Sequence, residues 1–415
     1  MKITKLHARA VLDSRGNPTV EVEATGRVGS VRAIVPSGAS TGTFEAKELR
    51  DGGKPWRGMG VDKAVRNVNT SIAKAVAGKD FQSQDSFDAA LLSLDGTKDK
   101  SRLGANAILG VSMAYARLAA LESGVPLWQH ISKTYGNKPQ LPVIFANVLN
   151  GGKHAGTGLA VQEFMIVPQA TKFSKAVEDV ANTYHVLKDV IAKKYGGAAT
   201  GVGDEGGFAP PVKTAQEALA LLETAAKQAG TKVRFALDAA ASEFYDENAR
   251  VYRTPSELSS DKLAAYWESL VKEYKVASLE DPFAEESFGE FAALRKRFAD
   301  RKLQCQVVGD DLTVTNPQRI SRAVAVGSCD CLLLKVNQIG TVTEAVAAAR
   351  AAQAAGWRVM VSHRSGETDD SFISHLVVGL GTGQAKIGAP CRGERTAKYN
   401  ELLRISESVH PIARF

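Results

Sequence analysis

Six short apolar segments in the second half of the chain each run into a charged or polar side chain, and this repetition restricts the fold more than any other feature. Residues 233–237 run into Asp238, 276–279 into Glu280, 305–309 into Asp310 and 331–334 into Lys335. Residues 357–362 run into His363, Arg364 and Ser365, and 384–385 into Lys386. The terminal residues lie 42, 30, 25, 28 and 23 positions apart, and helical patterns such as the alanine-rich stretch 341–355 fill the gaps. Strand, helix and strand at this interval predict an α/β protein built on a β/α (TIM-like) barrel, whose strand ends converge on one face and carry the active site.

The residues at those ends define a chemistry. Three leucines before Lys335 read as a strand buried on both faces. A lysine at such a strand end loses hydration, which predicts a lowered pKa and a proton acceptor near neutral pH. Asp238, Glu280 and Asp310 are three carboxylates facing one pocket. An all-oxygen set of this kind suits a hard divalent cation, with Mg²⁺ the default. Ion pairs with Lys335 and Lys386 are the other reading of the same residues. A divalent cation and a lysine base together predict removal of a proton beside a carboxylate, with the metal stabilising the second negative charge. Glu163 interrupts the apolar run 161–167, and Glu205 lies in the glycine-rich segment 201–207, where flanking glycines predict exposed backbone with room for a ligand. As a close pair these two would share a proton, and the protonated member could expel a hydroxyl. Arg364 and Ser365 offer a planar fork and a hydroxyl to a phosphate.

The rest of the chain supplies a second unit. Residues 3–12, 19–23 and 29–35 alternate or run apolar around the turn cluster 13–18, which predicts an antiparallel meander. The small, glycine-containing loop 36–43 is a lid candidate. Helical patterns follow at 61–76, 87–94 and 106–123. We expect an N-terminal α+β domain over 1–135, a Gly-Asn-Lys-Pro linker and the barrel over 140–415. Two strands at 143–147 and 161–167 precede the first long helix, 173–195.

Composition narrows the class. A chain of 415 residues with 44% hydrophobic and 23% charged residues is an ordinary globular protein of two domains. No apolar run is long enough for a bilayer and no signal peptide opens the chain, so no membrane is expected. The net charge of +7 is spread along the chain without a nucleic-acid motif, and no nucleic-acid partner is expected. Cys305, Cys329, Cys331 and Cys391 form neither a disulfide framework nor a zinc set, and read as buried thiols of a cytoplasmic protein.

Longer motifs point further. DSRGNPTVEVE (13–23), VPSGASTG (35–42), QEFMIVP (162–168), GDEGGFAP (203–210), GDDLTVTNP (309–317), LLLKVNQIGT (332–341) and SHRSGET (362–368) make the chain resemble the enolase family from end to end. The resemblance implies Mg²⁺-dependent dehydration of 2-phosphoglycerate to phosphoenolpyruvate in glycolysis. It implies that Lys335 is the base at C2 and that Glu205 is the acid for the C3 hydroxyl, with Glu163 paired to it. His363, His154 and Gln162 would line the site, with His363 in the catalytic set. Asp238, Glu280 and Asp310 would hold one Mg²⁺, and Ser40 would help hold a second that arrives with substrate. Arg364 and Ser365 would bind phosphate and Lys386 the substrate carboxylate. The resemblance further implies an irregular first hairpin in the barrel. It also implies a homodimer, possibly an octamer, with Arg9 and Glu21 in ion pairs across the interface. Phe44, Lys153, His375, Ile387 and Gly393 depart from the family pattern. The alternatives are another lyase or racemase on this barrel, or a non-catalytic binding protein with the same fold.

Overall fold

The computed structural model describes every residue except 39–41, 157 and 255, so Ser40 lies outside the described residues. The meander is present as β1 (Lys5–Leu12), β2 (Pro18–Thr25) and β3 (Ser30–Ile34). β1 and β2 pair from Lys5 opposite Thr25 to Leu12 opposite Pro18. Their turn closes because Asp13 Oδ1 accepts the backbone N–H groups of Arg15 (2.8 Å) and Asn17 (2.9 Å). One face of the sheet buries Val20, Val22 and Ala24 completely. The helix Ala105–Glu122 packs on this face and is itself mostly buried. It approaches closely because residue 110 is glycine: a Cβ there would meet Val22 Cγ2 at 2.7 Å and Val35 Cγ2 at 3.3 Å. The helical pattern at 61–76 is interrupted by a π-type turn, Val68–Ile72. That turn presents Asn69, whose amide accepts from Ala8 N–H (2.7 Å) and donates to Ala8 C=O (2.9 Å), covering the free edge of β1.

The barrel strands are β4 (Val143–Asn150), β5 (Glu163–Pro168) and β6 (Val233–Asp238). A short three-stranded flap follows, β7 (Tyr245–Asp246), β8 (Val251–Thr254) and β9 (Ser256–Leu258). Strands of two to four residues are too short to show a hydrophobic period, so the pattern gave no sign of them. The barrel continues with β10 (Val276–Glu280), β11 (Gln306–Gly309), β12 (Cys331–Leu334), β13 (Arg358–Ser362) and β14 (Gly383–Lys386). It closes in the ring order β10-β11-β12-β13-β14-β4-β5-β6.

β5 runs antiparallel to both β4 and β6, and all other barrel pairs are parallel. Among the described residues, the connection from β4 to β5 holds only a three-residue helical turn, Gly152–His154, and a parallel return needs a longer crossover, usually a full helix. Reversal has a consequence for the site. The first residue of β5, Glu163, pairs with the last residue of β6, Asp238, so a strand start sits on the rim of strand ends.

Side chains alternate across the barrel wall. Val143, Phe145, Met165, Val167, Leu333 and Met360 belong to a separate inner core, whereas Ile144, Leu332 and Leu334 pack with the helices. Phe415 packs edge-on against Phe145 with ring centroids 5.1 Å apart, and Arg234 and Arg358, from the starts of β6 and β13, lie over its ring. The mouth at the strand starts is thereby filled, leaving chemistry to the other end. Cys305, Cys329 and Cys331 are buried free thiols, but Cys391 is only half-buried, because it lies in the loop between β14 and the last helix. Among the described residues no single helix is long and apolar enough to cross a membrane.

The Gly110 contact predicts a specific sensitivity. Gly110→Val adds volume where Val22 and Val35 leave none, and overpacking of this kind costs about 1–3 kcal/mol. A lowered melting temperature is expected, and an unchanged one would mean the helix can move off the sheet.

Candidate active site

The strand ends meet around two ammonium groups. Lys386, the last residue of β14, is 2% exposed. Its Nζ lies 2.8 Å from Glu280 Oε1, 3.0 Å from Asp238 Oδ2 and 3.1 Å from Glu163 Oε2. Lys335, just after β12, places its Nζ 2.5 Å from Asp310 Oδ2. The three carboxylates of the expected metal set are thus ion-paired by the protein itself. They remain underneutralised: Glu280 Oε2 is buried and has no hydrogen-bond partner among the described residues. Burial, reinforced by the charge of Asp238, drives the Glu280 pKa well above the usual carboxylate range. An all-oxygen donor set with an orphaned buried oxygen and excess negative charge fits Mg²⁺.

Lys335 corrects an expectation. Burial is the strongest influence and pushes its pKa down, but the Asp310 carboxylate, with Glu280 behind it, works the other way, and the ammonium ends above the ordinary lysine value. Desolvation alone predicted the opposite, because the strand pattern does not reveal which acid stands beside the lysine.

The acid pair sits across the barrel. One ligand-type atom from each of His154, Glu163 and Glu205 lies within 4.8 Å of the other two. His154 Nδ1 is 3.8 Å from Glu163 and 3.7 Å from Glu205. Asn147 Nδ2 donates to Glu205 Oε2 at 2.9 Å. Burial and the charge of Glu205 raise the Glu163 pKa well above the usual range. Burial also opposes the charge on Glu205, yet His363, His154 and Arg395 hold its pKa well below that range. The two acids are thus driven apart, Glu163 toward its protonated form and Glu205 toward its ionised form. Gly203 and Gly207 beside Glu205 serve close packing of backbone against backbone and side chain. A Cβ at Gly203 would lie 2.4 Å from His154 C=O, and one at Gly207 would lie 2.1 Å from Asn150 Oδ1. They let the Glu205 loop press against the His154 loop, and Glu205 is only 3% exposed.

The segment after β13 carries His363, Arg364 and Ser365, all buried. Arg364 makes a two-point pair with Glu45, at 3.0 and 3.1 Å, and donates to Asn337 Oδ1 at 3.0 Å. Arg395, fully buried, donates to the backbone oxygens of Arg364, Ser365 and Asp204. It also reaches His363 Nδ1 at 2.6 Å. A guanidinium can only donate, so Nδ1 accepts and the imidazole proton sits on Nε2. Nε2 faces Glu205 Oε2 at 3.3 Å. Burial pushes the His363 pKa down to about 4, so the ring is neutral near pH 7.

His154, Gln162, Glu163, Glu205, Asp238, Asp310, Lys335, His363, Arg364, Ser365 and Lys386 all line one small polar cavity. Glu280 reaches it through Lys386. Glu45, Asn147, Gln338 and Arg395 were not singled out in the sequence. Each is a lone polar residue whose partner comes from a distant segment, and no local pattern marks it.

Family comparison agrees with this arrangement. Residues 3–131 match the family described as "Enolase, N-terminal domain", and residues 138–415 match "Enolase, C-terminal TIM barrel domain". The chain belongs to the enolase family. It is accordingly a lyase of the enolase superfamily, built from a smaller N-terminal domain and a closed eight-stranded barrel. Of the departures from the family pattern, Lys153 pairs with Glu243 at 2.6 Å, and Phe44 lies under the Arg319 guanidinium at 4.1 Å. His375 pairs with Glu401 at 3.2 Å on the outer helices. Ile387 is buried beside Lys386, and a Cβ at Gly393 would meet nothing within 4 Å.

His363 predicts a pH response. Its folded pKa lies below the ordinary 6.5, so the stability tied to the neutral ring is complete above that pH. It is lost as pH falls toward about 4, at about 1.4 kcal/mol per pH unit, or about 3 kcal/mol in all. His363→Gln should lose less melting temperature between pH 6.5 and pH 4.5 than the unaltered protein; equal losses would refute the assignment.

Proposed function

We propose that the protein dehydrates 2-phospho-D-glycerate to phosphoenolpyruvate, reversibly and with Mg²⁺, as a glycolytic enolase (phosphopyruvate hydratase). The reading is carried by one observation. Lys335 follows β12 and Glu163 opens β5, and these two strands stand opposite each other in the ring. A base on one wall and a proton-bearing acid pair on the other suit an elimination in which a proton and a hydroxyl leave from opposite faces of a small substrate.

The substrate phosphate binds at Arg364 and Ser365, and its carboxylate faces the Lys386 ammonium. Lys335 Nζ takes the C2 proton, and charge develops on the substrate carboxylate. Collapse of that charge forms the C2–C3 double bond as the C3 hydroxyl leaves, protonated from the Glu163–Glu205 pair, as water. Lys335 must be neutral before it can take the C2 proton. Arg364 and Lys386 both favour its neutral form, and Asp310 opposes them. Asp238, Glu280 and Asp310 are the residues that would hold Mg²⁺, which would supply positive charge beside the substrate carboxylate. The second Mg²⁺, with Ser40 among its ligands, belongs to the same proposal. So does a homodimer in a cytoplasmic setting, although in the single chain Arg9 already pairs with Glu21 and Glu23 of its own sheet.

Phosphoenolpyruvate formation, followed by its ultraviolet absorbance, tests the reading. The intact protein should turn over with Mg²⁺ and stop with chelator. Lys335→Ala and Glu205→Gln should each lower kcat on the order of 10²–10⁴-fold. No turnover by folded, Mg²⁺-supplied protein would refute the proposal.

A further inference from the structure

Two buried side chains outside the proposed machinery join its anion-binding and cation-binding halves. Gln338 lies in the helical turn Val336–Ile339 directly after Lys335 and is 1% exposed. Its Nε2 donates to Asp310 Oδ1 at 2.9 Å and to Glu45 Oε1 at 3.3 Å. Its Oε1 accepts the Thr315 hydroxyl at 2.8 Å. That hydroxyl in turn accepts the backbone N–H of Lys335 at 3.0 Å. Ionised carboxylates only accept, so the amide has one workable orientation, with its nitrogen between the two acids.

Glu45 closes the other end. It is 8% exposed and comes from the N-terminal domain. Besides Gln338, its Oε1 accepts Gly42 N–H at 3.1 Å, and its two oxygens hold the Arg364 fork. The result is an unbroken series, Arg364 to Glu45 to Gln338 to Asp310 to Lys335. Without the amide, the Asp310 and Glu45 carboxylates would repel each other across a buried gap. With it, Asp310 Oδ1 is fixed and Oδ2 is aimed into the cavity, where it meets Lys335.

We infer that Gln338 and Glu45 are positioning residues that set the Asp310 carboxylate for its cation, with Gln338 acting directly and Glu45 bracing it from Arg364. The inference rests on the proposed Mg²⁺ site. An amide that merely satisfies buried polar atoms would affect folding and leave cation affinity alone. A partner that orients a ligating carboxylate changes metal affinity about 10–100-fold when removed.

The test is calorimetric titration of Mg²⁺ into the full chain without substrate, so that turnover is not the readout. Gln338→Met should weaken Mg²⁺ binding by about tenfold or more. Glu45→Gln, which places an amide donor among donors, should weaken it by a smaller factor, about threefold or more. The double variant should be no weaker than Gln338→Met alone, because both changes act through one series of contacts. An unchanged affinity in folded Gln338→Met, or losses that add in the double variant, would overturn the inference. Should Gln338→Met fail to fold, Glu45→Gln decides by itself. Turnover of 2-phosphoglycerate is scored separately. Altered Mg²⁺ affinity in a protein that does not dehydrate this substrate would remove the reaction and keep the positioning roles. Normal turnover with unchanged Mg²⁺ affinities would do the reverse.

Discussion

A single buried ammonium, Lys386 Nζ, holds Glu163, Asp238 and Glu280 within about hydrogen-bond reach of one point. Three carboxylates brought together without it would face mutual repulsion and a desolvation cost of several kcal/mol each. The lysine does not neutralise them fully, and burial together with the neighbouring carboxylates raises the pKa values of Glu163 and Glu280. A site built this way holds an unmet demand for positive charge. The same demand that suits a divalent cation keeps Lys335 protonated through Asp310. Cation binding and base strength are therefore two expressions of one electrostatic imbalance.

The reversed strand makes that imbalance possible. In a regular β/α barrel the residue at the start of a strand faces the mouth opposite the site. Because β5 runs against its neighbours, Glu163 opens the strand on the rim where Asp238 closes its own. The short β4–β5 connection thus brings an acid across from Lys335. The N-terminal domain then contributes Glu45, which pairs with the Arg364 fork.

Much of this was legible in the chain. The periodic apolar runs ending on Asp238, Glu280, Asp310, Lys335, His363 and Lys386 announced the barrel and its rim, since buried parallel strands read as continuous apolar segments. The helix Phe173–Tyr195 was marked by its spacing. Illegible were the flap at 245–258, whose strands are too short for a period, and the π-type turn at 68–72, which answers to the edge of β1. The glycines of 203–207 read as openness and prove to be contact points.

By itself, then, the sequence determined which residues would stand at strand ends, because side-chain periodicity and strand length are local properties of the chain. It also determined the family, through long uninterrupted motifs. Only the tertiary structure decided the ionisation of those residues. Lys335 is raised by Asp310 against the effect of burial, Glu163 is raised by burial and the nearby Glu205, and His363 has its tautomer set by Arg395. Charge interactions act through space over a few ångströms in a low-dielectric interior, and the partners that exert them lie tens to hundreds of residues away along the chain.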